Sequence, residues 1–307
     1  MGVWGVALYS GDFAADLRST IGAVSRLPFT IGRLVDIVCE TEPAAANNLD
    51  DSDYTTFWLI LADQFAKRGL QSDRVRDTAL RIIDEGRDLQ SLRALGMPER
   101  DLAKRARVLG ELRARLLGPA VDKRREVLKR PQPFIMDVGD VIVYPTEGGD
   151  PFNPYYSPRL IESIRAKHGR AVTFSPDGWS AAVIIARGKA FEFLAWYQTL
   201  TPLYALDTLP TLSSLESHGP WRLMMPGTCS KPHFERMRLQ KIAQVTLDIG
   251  AVTRALGSLR DGTRAAISDI SIANQLAVVP AGQTFKDYGR KVLRVSSLAE
   301  LIATPST

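Results

Sequence analysis

The side chains able to do nucleophilic or metal chemistry are few. Three histidines (His168, His218, His233) and two cysteines (Cys39, Cys229) supply all the imidazole and thiol groups of the 307-residue chain. The closest sulfur–imidazole pair is Cys229 with His233, in Cys-Ser-Lys-Pro-His. A thiolate activated by imidazole needs both groups in hydrogen-bond contact, and Pro232 works against this spacing forming one helical turn. No second pair completes a zinc site, which takes four ligands or three plus water. Carboxylates cluster at Asp50-Asp51-Ser52-Asp53, where they serve more simply as cap and dipole partner of a following helix, and at Asp84-Glu85, at a helix end. The phosphate-cradling G-x-x-x-x-G-K, a strand-linked G-x-G-x-x-G and the G-x-S-x-G elbow are absent. These residues predict a non-catalytic protein with no metal and no cofactor, a hydrolase around Cys229 and His233 being the weakest reading.

Binding chemistry is better represented. The chain carries a net charge of +5, and the stretch from Glu99 to Arg130 holds eleven basic residues against five acidic ones, enough to account for the whole excess. Lys123-Arg124-Arg125 followed by Lys129-Arg130 could neutralise several phosphates. Single-strand binders interleave aromatic residues for base stacking, and residues 102–130 contain none. A solvated helix face is the plain reading, ahead of a surface for an acidic protein partner and of a nucleic-acid surface. Aromatic residues in expected loops, Tyr155 and Tyr156 in Pro-Phe-Asn-Pro-Tyr-Tyr and Trp221 in His-Gly-Pro-Trp, either anchor a partner or pin a loop to its own domain. Candidate partner contacts are therefore Arg105, Arg113, Lys123, Arg124, Arg125, Tyr155, Tyr156 and Trp221.

The elements that must position these residues change character near Pro131-Gln132-Pro133. Before it, apolar residues recur at helical spacing. Helices are expected over residues 13–24 with Asp12 as cap, 30–39, from the cap at Ser52 or Asp53 to Gly69, from the Ser72 cap to a stop at Gly86, over 88–95, and from Pro98 to Gly118-Pro119. The last is the basic one, with Leu102, Ala106, Leu109, Leu112 and Leu116 as its apolar ladder. Residues 42–53 read as a loop. After the prolines, strands are expected over 135–144 with a turn at Gly139-Asp140, over 180–186 and 189–198 as a hairpin around Arg187-Gly188, and over 222–225 and 237–247. Residues 265–273 are a further apolar candidate. Residues 148–158 read as a loop. Short helices are expected over 160–167, 250–256 and 297–303. Helices first and strands second predict an α+β protein, with an all-helical domain over 1–130 and a mixed, mainly antiparallel β domain over 131–307.

Two cysteines give no disulfide framework and suit a reducing compartment. No apolar run reaches the length of a membrane helix. No secretion signal is evident, and Val6 breaks the myristoylation pattern that Met1-Gly2 begins. A cytoplasmic location without membrane contact is the expectation.

Two blocks carry a family resemblance. Met1-Gly-Val-Trp4-Gly5 with Leu8-Tyr9, Asp12, Phe57-Trp58 and Leu61-Ala62-Asp63-Gln64 resembles an N-terminal domain of uncharacterised bacterial proteins with a Trp-Gly start. The segments 134–143, Gly178-Trp179, Met225-Pro-Gly-Thr228, His233-Phe234 and Asp269-Ile-Ser-Ile-Ala-Asn274-Gln-Leu276 resemble a bacterial immunity-protein family predicted from polymorphic toxin gene clusters. That resemblance implies a protein that binds and blocks a cognate toxin. It brings no catalytic residues. The alternative is a nucleic-acid-associated defence or regulatory protein using the basic stretch 99–130.

Overall fold

The computed structural model describes residues 5–119, 121, 122, 125–153, 174–280, 282–284 and 294–303. The chain divides into two compact units, Met1–Arg130 with Ile267–Asp269, and Pro131–Ala266 with Ile270–Thr307. The protein is α+β, helical in the first unit and built on an antiparallel sheet in the second.

Among the described residues, seven helices make the first unit: α1 (Asp12–Val24), α2 (Ile31–Thr41), α3 (Pro43–Asn47), α4 (Tyr54–Lys67), α5 (Asp73–Asp84), α6 (Arg87–Ala94) and α7 (Glu99–Leu117). Helix α4 is buried along nearly its whole length, from Phe57 to Phe65, and α1, α3, α5, α6 and α7 pack around it. A helix apolar on all sides is stable only as such a centre. Thr30 and Ser72 accept from the backbone amides of Arg33 and Val75, capping α2 and α5. Gly86 stops α5 with a left-handed φ of 66°. Helix α3 lies within the stretch expected to be a loop, and the Trp58 indole donates to the Ala46 carbonyl at 3.1 Å, tying α3 to α4.

The apolar ladder of α7 is corrected at one rung. Ala106 faces out and Arg105 faces in, where it forks onto Asp88 of α6 at 2.8 and 3.0 Å. Both side chains are almost completely buried. The basic helix ends at Leu117 with Gly118 as its cap residue, the stop expected at Gly118-Pro119.

In the second unit the sheet runs β2-β1-β3-β4-β5-β7, with β6 also pairing β1. The strands are β1 (Asp140–Glu147), β2 (Asp150–Pro151), β3 (Gly178–Ala190), β4 (Leu194–Pro202), β5 (Trp221–Leu223), β6 (Gln240–Gln244) and β7 (Arg294–Val295). Alternation sends Val141, Val143, Val183 and Leu200 to one face, packed by Leu215 of α8 (Leu212–Glu216), by Val252 and Leu256 of α10 (Ile249–Leu256) and by Leu298 and Leu301. Ile142, Tyr144, Ala182, Ile184 and Tyr197 point to the other, against Met237, Leu239, Ile272 and Leu276. Helix α9 (Lys231–Arg236) leads into β6.

One sequence expectation changes here. The β3–β4 hairpin turns at residues 191–193, not at Arg187-Gly188, because Gly188 pairs with Trp196 inside the ladder. The Trp196 indole needs that glycine and a second one: a Cβ on Gly188 or on Gly262 would stand 2.5 or 2.1 Å from the ring. The further apolar candidate, residues 265–273, holds part of α11 (Thr263–Ile267) and the start of a 3-10 turn, Ile272–Gln275. The helix expected at 160–167 lies outside the described residues.

Candidate functional site in the helical unit

Helix α1 and the C-terminal end of α4 carry unusual polar faces. Arg18 and Gly22 are four apart on one stripe of α1, beside the buried stripe of Leu17, Ile21 and Val24, and Arg26 follows in the turn just past the helix end. On α4, Gln64, Lys67 and Arg68 share the face at its C-terminal end, where cations are favoured by the helix dipole. Together with Tyr9, Arg125 and Glu126 they line a cleft of about 570 Å³. Its walls carry five cations, Arg18, Arg26, Lys67, Arg68 and Arg125, against one carboxylate, Glu126.

A hydrogen-bond network holds the floor. Asp63, 1% exposed, accepts from the Tyr9 hydroxyl, from Lys67 Nζ at 2.6 Å and from Arg115. Gln64 donates to the Tyr9 oxygen and accepts from Arg68. Tyr9 stays protonated, because burial and its bond to the Asp63 carboxylate push its pKa up. Arg18 and Lys67 each sit 5.3 Å from the centre of the Tyr9 ring. Arg68 reaches over α1, its Nη2 passing 3.5 Å from where a Gly22 Cβ would stand.

The positive charge of this cleft is incompletely answered. Arg125 donates to the carbonyls of Ser25, Leu27 and Phe29, which fix its guanidinium without neutralising it. Among the described residues, the Arg68 guanidinium bonds only to Gln64. Among the described residues, Arg18 and Arg26 have no carboxylate partner either. Burial pulls Arg68 below the usual arginine range, and the charge of Arg18 pulls the same way while Tyr9 and Asp63 oppose it. Burial lowers Arg125 as well. A guanidinium losing hydration without gaining a counter-ion is an anion-binding group.

The residues expected from sequence are scattered. Arg125 lines the cleft. Arg105 is locked in its buried fork with Asp88 and presents nothing to a partner. Arg113 pairs with Asp84 at 2.7 Å on the surface. Trp221 is fully buried in β5, where its indole donates to the His218 carbonyl at 2.7 Å, so it pins its own loop. Lys123, Arg124, Tyr155 and Tyr156 lie outside the described residues. Five of the six basic side chains of α7 pair with carboxylates: Arg100, Lys104, Arg105, Arg113 and Arg115. The charge of that helix is thus largely spent within the fold.

Sequence reasoning missed Arg18, Arg26, Lys67 and Arg68. The available signal was the four-residue spacing of Arg18, Gly22 and Arg26, and the polar pairs Asp63-Gln64 and Lys67-Arg68 ending an otherwise apolar helix. Tyr9, Asp63 and Gln64, which belong to the Trp-Gly-start resemblance, meet in one network.

In the second unit, burial pushes the Cys229 thiol up to about 12. Burial thus holds the thiol in its protonated form near neutrality, which disfavours it as a nucleophile. Among the described residues no group of three or more His, Cys, Asp or Glu side chains could hold a metal ion, and no helix is long and apolar enough to cross a membrane. No protein-family model matches the chain, and neither does any curated protein or any solved structure.

Proposed function

We propose that the chain is a non-catalytic binding protein, an immunity protein that binds and neutralises a bacterial toxin, and that its basic cleft receives an acidic stretch of that partner. One observation carries the reading: four arginines, Arg18, Arg26, Arg68 and Arg125, line one cleft without a carboxylate partner among the described residues. At Arg68 and Arg125, incoming carboxylates would replace hydration that burial has already weakened. The resemblance of the second unit's segments to an immunity-protein family supports the toxin as the partner class.

Co-expression with the products of neighbouring genes in a growth-rescue assay tests this. Wild-type chain should rescue growth from one of them. The double reversal Arg18→Glu/Arg68→Glu should abolish rescue while the purified variant keeps a cooperative unfolding transition. Rescue from none, or rescue indifferent to the reversal, rejects the proposal. Nucleic acid comes second, because five of the six cations of α7 are already paired. Tight DNA or RNA binding with a steep salt dependence, in the absence of any protein partner, would reverse that order.

A further inference from the structure

The face of the sheet that carries Tyr144 also carries an unbalanced polar group of a different kind. Arg222 of β5 pairs in register with Thr201 of β4 on one side and with Arg294 of β7 on the other. Directly opposed residues project to the same face, and so do residues two apart along a strand. Thr199 therefore joins Thr201 and Arg222 on this face. Ser180, paired with Tyr144, lies diagonally beyond.

The hydrogen bonds here do not close. Arg222 Nη2 donates to the Ala277 carbonyl, and the Tyr144 hydroxyl donates to the Leu276 carbonyl at 2.7 Å. Arg222 Nε, Thr199 Oγ1 and Thr201 Oγ1 are buried with no partner. Both threonines are 0% exposed. Leaving a buried polar atom unpaired is costly, and more so where the group is charged. Water could satisfy hydroxyl valences but would leave the charge. Burial lowers the Arg222 pKa, the neighbouring Arg294 adds to the lowering, and only the Tyr144 hydroxyl opposes it. No carboxylate among the described residues pairs with this guanidinium. An oxyanion supplies both missing features, several acceptor oxygens and a negative charge.

We propose that Arg222, Thr201 and Thr199 form a binding site for a small oxyanion, a carboxylate or a phosphoryl group, on this face of the sheet. Arg222 Nε and the two threonine hydroxyls donate to its oxygens, and the guanidinium charge balances it. The site is independent of the cleft of the helical unit and does not rest on the toxin-binding reading.

The test follows the arginine Nε–H signals of the full chain by nitrogen-15 NMR, in an Arg18→Gln/Arg68→Gln background that silences the cleft. Inorganic phosphate and acetate are titrated separately, with chloride as control. The expected result is a saturable shift of the Arg222 Nε–H signal with phosphate or acetate, and not with chloride. Thr201→Val, which keeps shape and removes one donor, should weaken it by about tenfold. The stronger of the two anions identifies the ligand as phosphoryl or carboxylate. No saturable shift with either anion, the same shift with chloride, or unchanged affinity in Thr201→Val overturns the proposal and leaves ordered water as the occupant.

Discussion

In the helical unit, the deeply buried charges among the described residues have counter-charges: Asp88 with Arg105, and Asp63 with Lys67 and Arg115. In the sheet unit, the buried hydroxyls of Thr199 and Thr201 and the Nε of Arg222 have no partner. The first arrangement is complete inside and leaves its surplus cations at the walls of an open cleft. The second leaves its deficit inside the fold. The difference teaches where each unit is expected to take a ligand: the helices on a rigid, self-satisfied frame, the sheet at a place where its own hydrogen bonding is unfinished.

The comparison can be broken most forcefully at Arg105. Arg105→Ala strands the Asp88 carboxylate and should cost about 3–5 kcal/mol in urea unfolding. A loss below about 1 kcal/mol would mean that the helical unit does not depend on closed charge pairs. The opposite sign is expected in the sheet. Thr199→Val removes an unpaired hydroxyl and should raise the stability of the anion-free chain by about 1–3 kcal/mol, read from the same denaturant midpoint. Destabilisation by that substitution would show the hydroxyl to be satisfied and erase the contrast.

A smaller effect is expected at His218, whose Nε2 is buried without a partner. Burial lowers its pKa, so the unfolded chain binds the proton more readily than the folded one. Its contribution is intact above the unfolded value of 6.5 and is lost as pH falls from there through the folded value. Denaturant midpoints measured from pH 8 to pH 5 should fall at the acid end, and His218→Gln should flatten that fall. The smallest expected effect is none: Cys229→Ser should leave growth rescue unchanged, since burial keeps this thiol protonated. Loss of rescue with the fold intact would revive the hydrolase reading.

Much of the helical unit was legible because its apolar residues recur at 3.6-residue spacing and an end carries a recognisable cap, as at Ser72. Helix α3 was not, since five residues are too short to show a period. The α7 ladder slipped by one because apolar patterning cannot anticipate a buried arginine, and Arg105 depends on Asp88, seventeen positions away. The hairpin was misplaced for a similar reason. Arg187-Gly188 looks like a turn, yet the chain turns where Phe191 and Glu192 adopt φ of 49° and 64°, a left-handed conformation those residue types do not advertise. Of the cleft, only Arg125 was singled out, because a charge run draws attention and charges dispersed over three distant segments do not.

The slot that receives Trp196 links three positions that are distant in sequence. With Gly188 on one side and Gly262 on the other, no side chain larger than hydrogen can be introduced at either without displacing the indole. A change at one glycine is therefore viable only with a smaller residue at 196. Among descendants of this sequence the three positions should covary as a unit of inheritance, and the pairing of 188 with 262 should be detectable even where nothing else in the segment is retained.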